Sequence, residues 1–223
     1  MFFNLSLHRS ATTSVARLFR DFNHQCCDWV GRNFERKNNH LFSRSTSDEL
    51  LDALLTRFPN CSYYGDLPIP LLYKQLLTRY PDANYFAVLR DIDDWAISSV
   101  EHCLYVGKHP SNPTKDILTP SNRMMLDQYN LLEEVRPHLN NEANRTRLLK
   151  IWADLYQMHL TSITEFFAQK KKHLQIFHLS DSDLAAQLLK YACPDLPETD
   201  RSSYKLVHLH SNDRGRDKLQ PTA

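Results

Sequence analysis

The sequence predicts an α/β fold: a three-layer, mainly parallel sheet of about four to five strands flanked by helices. Three observations carry that prediction. Short apolar runs recur along the chain, and each is followed by a segment whose apolar residues have helical spacing. Only 4 glycines accompany 11 prolines in 223 residues, which is few for a hairpin-rich all-β chain. Hydrophobic residues make up 42% and charged residues 24%, ordinary for a globular chain of a length that buries a sizeable core.

Taken in order, residues 2–7 read as the first strand. Thr12 to Phe22 follows with Val15, Leu18, Phe19 and Phe22 on one stripe, an amphipathic helix against the sheet. The polar stretch from Cys26 to Ser45 reads as a helix fragment and a loop. Thr46 and Glu49 have capping-box spacing ahead of a helix that Pro59 ends. "CSYYGDLP" is the second strand and its loop, "IPLLYKQLLTRY" the next helix, and "ANYFAVL" the third strand. "DIDDWAISSVEHCLY" enters a helix through an acidic turn that suits the helix dipole. Residues 106–121, rich in Pro, Ser and Asn, read as a lid or substrate loop. Helices follow at about 122–136 and 142–169, broken near Pro137. "KKKHLQIFHL" contains the fourth strand, and "SDSDLAAQLLKYA" is the last helix, opened by Ser180 or Asp181 as cap. Lys170, Lys171 and Lys172 read as a solvated helix end, and Trp95 and Trp152 as core. Residues 1–200 are expected to form one domain and 201–223 a polar tail; no internal repeat is present.

A formal net charge of +1 argues against a general nucleic-acid or membrane-surface binder. Any anion must be held by locally placed Arg, Lys and backbone N–H groups. "MFFNLSL" lacks a secretory pattern, and no run approaches the roughly 20 apolar residues that span a bilayer. The five cysteines (Cys26, Cys27, Cys61, Cys103 and Cys193) are odd in number and contain no C-x-x-C pair. Reduced thiols in a cytoplasmic protein are the expectation, and no metal-ligand cluster is seen. The adjacent Cys26 and Cys27 leave a redox-active pair as the alternative.

Two segments carry chemistry. "LHRSATTSVARLF" places a tight loop between strand and helix, where backbone N–H groups and the helix dipole favour an anion. Arg9 would supply a charged fork, and Thr12, Thr13 and Ser14 hydroxyl donors. The alternative is that Thr12 or Thr13 simply caps the helix. In "VLRDIDDWAISS", Arg90 stands at the carboxyl end of the third strand, with Ser98 eight residues on. Ligands of parallel sheets sit outside those strand ends, so both segments are expected to share a crevice. A local ion pair of Arg90 with Asp91, Asp93 or Asp94 is the competing reading.

With these motifs in place, the chain resembles the sulfotransferases of P-loop-like fold that use 3′-phosphoadenosine 5′-phosphosulfate (PAPS). "HRSATTS" is similar to their loop of the type P-[KR]-[ST]-G-T-T, with Ala11 where glycine is usual. "YPDANYFAVLRDIDDWAISS" resembles their Arg and Ser segment, and "IWADLYQMHLTSITEFF" the Tyr-x-x-His helix of small bacterial-type members. The likeness covers about residues 1–200, weakest over 24–60. It implies that Arg9 contacts the transferring sulfuryl group, and that Ser10, Ala11, Thr12, Thr13 and Ser14 hold the 5′-phosphate. Arg90 and Ser98 would hold the 3′-phosphate, with adenosine 3′,5′-bisphosphate as product.

The resemblance also aligns Asp66, in "YYGDLPIPLL", with the family's catalytic base, and puts Tyr64 where its preceding Lys stands. Asp66 is thus a candidate base, or else a cap for the helix near Pro68. His159 is a catalytic candidate or a hydrogen-bonded core residue. Arg214 or Arg216 in the tail would close over the 3′-phosphate. The implied acceptor is a small molecule or a glycan, with specificity residing in 106–121 and 24–45. A monomer and a homodimer both stand. Ala11 and the missing Lys motivate a second reading, a nucleotide-binding or interaction protein with impaired catalysis. A nucleotide kinase is disfavoured by the absence of a Walker Lys-Ser/Thr. At Ala11 ordinary helical backbone angles are expected, which would make the missing glycine harmless.

Overall fold

Alternation along the strands builds the three layers. In β1 (Phe2–Asn4), β3 (Tyr63–Tyr64) and β4 (Asn84–Leu89), successive side chains enter opposite cores. Phe2, Tyr63, Phe86 and Val88 pack on one face with Val15, Phe19 and Leu188. Phe3, Tyr64, Tyr85 and Ala87 pack on the other with Leu50, Leu76, Trp95 and Trp152. Phe3 stacks between Tyr64 and Tyr85, with ring centroids 5.5 and 5.3 Å away. The structure, a computed structural model, describes residues 1–108, 118–139 and 142–206.

After β1 come α1 (Thr12–Asp21), the edge strand β2 (Cys26–Cys27), α2 (Arg32–Lys37) and α3 (Ser47–Arg57). Beyond β3 a short 3-10 turn leads into α4 (Tyr73–Arg79), and beyond β4 lies α5 (Ile92–Lys108). Then follow α6 (Pro120–Gln128), α7 (Leu132–Val135), α8 (Arg145–Gln169), β5 (Gln175–His178), α9 (Leu184–Ala192) and α10 (Glu198–Ser203). The five strands run parallel in the order β2-β3-β1-β4-β5. The chain passes from β3 on one side of β1 to β4 on the other. A crevice therefore opens at the carboxyl end of β1, as it does wherever a parallel sheet reverses its winding order.

Several boundaries differ from expectation for local reasons. β1 stops at Asn4 because side chains intercept the ladder: Ser6 Oγ accepts from Val88 N–H at 2.7 Å, and Asn4 Oδ1 accepts from Ser6 N–H at 3.0 Å. β2, two residues long, falls in a segment read as helix fragment and loop, because so short a strand carries no periodicity. The Thr46 cap does not form, since Thr46 Oγ1 donates to the Leu41 carbonyl at 2.7 Å instead. The helix expected over 122–136 breaks at Asn130, whose φ is 58°. The helix after β5 begins at Leu184, later than Ser180 or Asp181, and α10 follows it. Of the expected loop 106–121, residues 106–108 belong to α5 and Pro120 and Ser121 to α6, while 109–117 lie outside the described residues. Arg214 and Arg216 lie outside them too.

Burial pushes the Cys26 and Cys27 thiols up to about 12, the opposite of an activated redox pair. All five cysteines are free. Among the described residues, no helix is long and apolar enough to cross a membrane.

Candidate functional site

Three loops meet at the carboxyl end of the sheet, one from each of three neighbouring strands. Residues 5–11 leave β1, residues 65–68 leave β3, and Arg90 directly follows β4. The loop after β1 turns without glycine: Arg9 has φ 68° and Ala11 has φ 58° with ψ 24°. Left-handed residues in alternation curl the backbone into a concavity of N–H groups, the geometry of an anion nest. Ala11 is also the N-cap of α1, and no side chain caps that helix. The first N–H groups of α1 thus face the loop mouth, with the positive end of the helix dipole behind them.

The expectation of ordinary angles at Ala11 is incorrect. The loop contour, which must leave β1 and re-enter α1 within a few residues, imposes the left-handed conformation whatever the residue. Alanine there costs about 1 kcal/mol relative to glycine. The cost falls on stability, since the loop is formed. Ala11→Gly is therefore expected to stabilise the fold by about 0.5–1 kcal/mol, raising Tm by roughly 2–3 °C in a thermal melt.

Arg9 and Arg90 come together at this loop. Arg90 Nη1 donates to the Arg9 carbonyl at 3.1 Å, and Arg9 Nε donates to Ser98 Oγ on α5 at 3.0 Å. Burial, and then the adjacent Arg90 guanidinium, push the Arg9 pKa down from its ordinary value. Two guanidinium groups held this close are compensated best by an anion between or beside them. The local ion pair considered for Arg90 is not made. Asp91 Oδ1 instead accepts from Asp93 and Asp94 N–H, both at 3.0 Å, and caps α5. The Arg90 N–H donates to Tyr156 Oη at 2.9 Å, which ties α8 to the end of β4.

Ser10 is fully buried. Its hydroxyl lies near that of Tyr156 but lacks a well-formed hydrogen bond. An orphaned hydroxyl inside an anion nest is an open donor. Thr12 and Ser14 are buried in the first turn of α1, and Thr13 is partly exposed.

Asp66 follows β3 with φ 60°, ahead of a cis Leu67–Pro68 peptide. Its Oδ1 accepts from Leu67 N–H at 2.7 Å, and the Thr12 hydroxyl also bonds its carboxyl. It does not cap the 3-10 turn that follows. Burial raises its pKa to about 7 with help from Asp28, while the two hydrogen bonds and Arg9 pull the other way. Gly65, just before it, is required by space: a Cβ there would meet the Tyr63 hydroxyl at 2.7 Å. That hydroxyl accepts from Asn4 Nδ2 at 3.0 Å.

His159 lies in the core. One ring nitrogen meets Tyr129 Oη at 2.8 Å and the other the Leu5 carbonyl at 2.9 Å. Burial lowers its pKa to about 4.

The structure thus brings together Arg9, Ser10, Ala11, Thr12, Asp66, Arg90 and Ser98, while His159 stands behind the end of β1 with both nitrogens engaged. Sequence reasoning missed three contributors. Tyr156 anchors the Arg90 backbone, and its position one helical turn before His159 was the available signal. Asp28 enters through β2, a strand too short to detect. His8 is buried beside Arg9, and among the described residues neither ring nitrogen has a hydrogen-bond partner, a state costing about 1–3 kcal/mol per nitrogen.

No curated protein matches the chain at a significant level. A family model described as a sulfotransferase domain matches residues 2–197, which include every residue of this crevice. The α/β architecture, the crevice and that match agree, and the chain belongs to the sulfotransferase family.

Proposed function

We propose that the protein transfers a sulfuryl group from PAPS to a hydroxyl or amine of a small-molecule or glycan acceptor. One observation supports this reading above the rest: Arg9, Arg90 and Ser98 converge on the glycine-free nest that opens α1. The residues present fit a bisphosphorylated nucleotide, since the crevice holds two cations, an orphaned Ser10 hydroxyl and a helix N-terminus. In this reading the nest, with Ser10, Ala11, Thr12, Thr13 and Ser14, holds the 5′-phosphate. Arg90 and Ser98 take the 3′-phosphate, and Arg9 neutralises charge at the leaving oxygen.

The donor supplies the sulfuryl group: its sulfur–oxygen bond to the 5′-phosphate breaks as the acceptor oxygen or nitrogen bonds to sulfur, leaving adenosine 3′,5′-bisphosphate. Asp66 accepts the acceptor's proton. A carboxyl with a pKa near neutrality suits that task, being ionised in a large share of molecules yet still a serviceable base. His159 holds the end of β1 and is not the base in this reading, because neither nitrogen is left for a substrate. Positioning and preorganised donors carry most of the catalysis, as in phosphoryl transfer.

Calorimetry with adenosine 3′,5′-bisphosphate tests the binding half. Wild type is expected to bind, and Arg90→Ala to weaken binding by on the order of 100-fold, the cost of a lost charge-assisted contact to phosphate. A well-folded wild type that does not bind the nucleotide overturns the reading. Binding without transfer of labelled sulfate across a broad acceptor panel would favour the catalytically impaired alternative.

A further inference from the structure

Two buried aromatic side chains, Trp95 and Tyr156, tie the two arginine-bearing segments of the crevice into one closed circuit. Arg90 is the residue that leaves β4, and its backbone N–H donates to Tyr156 Oη on α8 at 2.9 Å. The Tyr156 ring packs on that of Trp95, with centroids 4.7 Å apart and planes tilted by 33°. Trp95, on α5, donates from Nε1 to the His8 carbonyl at 2.7 Å. The circuit closes where Arg90 Nη1 donates to the Arg9 carbonyl at 3.1 Å.

Packing alone does not require these polar atoms. A phenylalanine would cover Trp95 as well as tyrosine does, so the Tyr156 hydroxyl serves the Arg90 backbone and not the core. The buried indole N–H serves the loop after β1 in the same way. An apolar body with one polar handle lets a core residue fix a backbone group at a set place. Here the two handles hold opposite halves of the anion site, the turn that carries the nest and the arginine after β4. A ligand with one anionic group engages one half and is indifferent to their separation. A ligand with two anionic groups at a fixed spacing gains from both only where the halves already stand at the matching separation.

We propose that Tyr156 and Trp95 are positioning residues that hold Arg90 at a fixed separation from the nest, and so set how strongly the crevice prefers a ligand with two phosphates to one with a single phosphate. The inference rests on the reading of the crevice as a site for a 3′,5′-bisphosphorylated nucleotide. Neither residue needs to touch the nucleotide. Tyr156→Phe keeps the ring stack but deprives the Arg90 N–H of its acceptor. A buried donor left without a partner bears its full desolvation penalty, which drives Arg90 out of its place. Trp95→Phe releases the His8 carbonyl likewise and lets the loop after β1 move relative to Arg90.

The test measures the affinities of adenosine 3′,5′-bisphosphate and adenosine 5′-phosphate by calorimetry. Wild type is expected to prefer the bisphosphate by on the order of 100-fold, the scale of a charge-assisted contact to phosphate. Tyr156→Phe should weaken the bisphosphate about tenfold and the monophosphate by less than about twofold. In an Arg90→Ala background the same change should cost less than about twofold, since a residue that acts through Arg90 then has nothing to position. A merely structural tyrosine would lower Tm and weaken both nucleotides alike, by the same factor in either background. Trp95→Phe carries the test if Tyr156→Phe does not fold: it too should shrink the bisphosphate preference while monophosphate affinity stays within about twofold. An unchanged preference in the folded variant, equal weakening of both nucleotides, or a full effect of Tyr156→Phe in Arg90→Ala each overturns the proposal and leaves the nucleotide site standing. A wild type that binds both nucleotides equally removes the 3′-phosphate role of Arg90 and the inference with it. A well-folded wild type that binds neither overturns the reading of the crevice itself.

Discussion

Asp66→Asn is expected to lower kcat by about 10²–10⁴-fold, with nucleotide affinity nearly unchanged. The carboxyl is the acidic group that the described crevice places beside Arg9 and the Thr12 hydroxyl, with its pKa held near 7. Arginine side chains donate hydrogen bonds and accept none, and both nitrogens of His159 are engaged. The pH profile supplies a sharper signature. A base must be ionised, so wild-type activity should climb with pH through a midpoint near 7, and this acid limb should vanish in the residual activity of Asp66→Asn. Stability should move in the opposite direction. The folded pKa near 7 exceeds the ordinary value of 3.8, so the native state keeps a proton that the unfolded chain has already released. The associated stability is fully present below about pH 4 and is lost as pH rises through 7. Asparagine carries no such dependence. The Tm of Asp66→Asn relative to wild type should therefore be higher at pH 8 than at pH 5. Full activity in Asp66→Asn would move the proton to another group and sink the assignment.

Arg9→Ala is expected to cost on the order of 10²–10³ in kcat, the scale for removing one preorganised donor from a charge that develops in the transition state. The effect should separate from that of Arg90. On the proposed reading, Arg90→Ala should weaken nucleotide binding, while Arg9→Ala should mainly slow transfer, because the nest and α1 would still hold the 5′-phosphate. Arg9→Lys should recover part of the rate, because the charge stays while the planar fork that reaches Ser98 is lost. Single-turnover measurements of labelled sulfate transfer at saturating donor resolve the two cases. A loss in Arg9→Ala seen only in donor affinity would assign Arg9 to binding and not to chemistry.

Much of this architecture was legible because it follows from periodicity and strand placement. Alternating side chains in Asn84–Leu89, apolar on both faces, mark a buried parallel strand, and the ladder confirms it. The nest at α1 and Arg90 were legible through position: each stands just past a strand, where a parallel sheet exposes its binding edge. Caps and breaks were not legible, because they depend on which of several nearby acceptors a hydroxyl selects. Thr46 chose the Leu41 carbonyl over its own helix. The conformation of Ala11 was misjudged for a related reason, since residue preference yields when both ends of a short loop are anchored.

What the sequence determined alone was the set of groups available: two arginines, a hydroxyl-rich turn without glycine and a carboxylate, each tied to the end of an apolar run. Only the tertiary structure decided how they meet. The order β2-β3-β1-β4-β5 sets β3 and β4 on either side of β1, and that adjacency brings Asp66 and Arg90 to the loop of Arg9. It also decided how each histidine is partnered: His159 finds Tyr129 and Leu5, while buried His8 finds no hydrogen-bond partner among the described residues. Spacing along a chain specifies which face a residue occupies on its own element, but burial and partnership depend on neighbours that only the assembled sheet supplies.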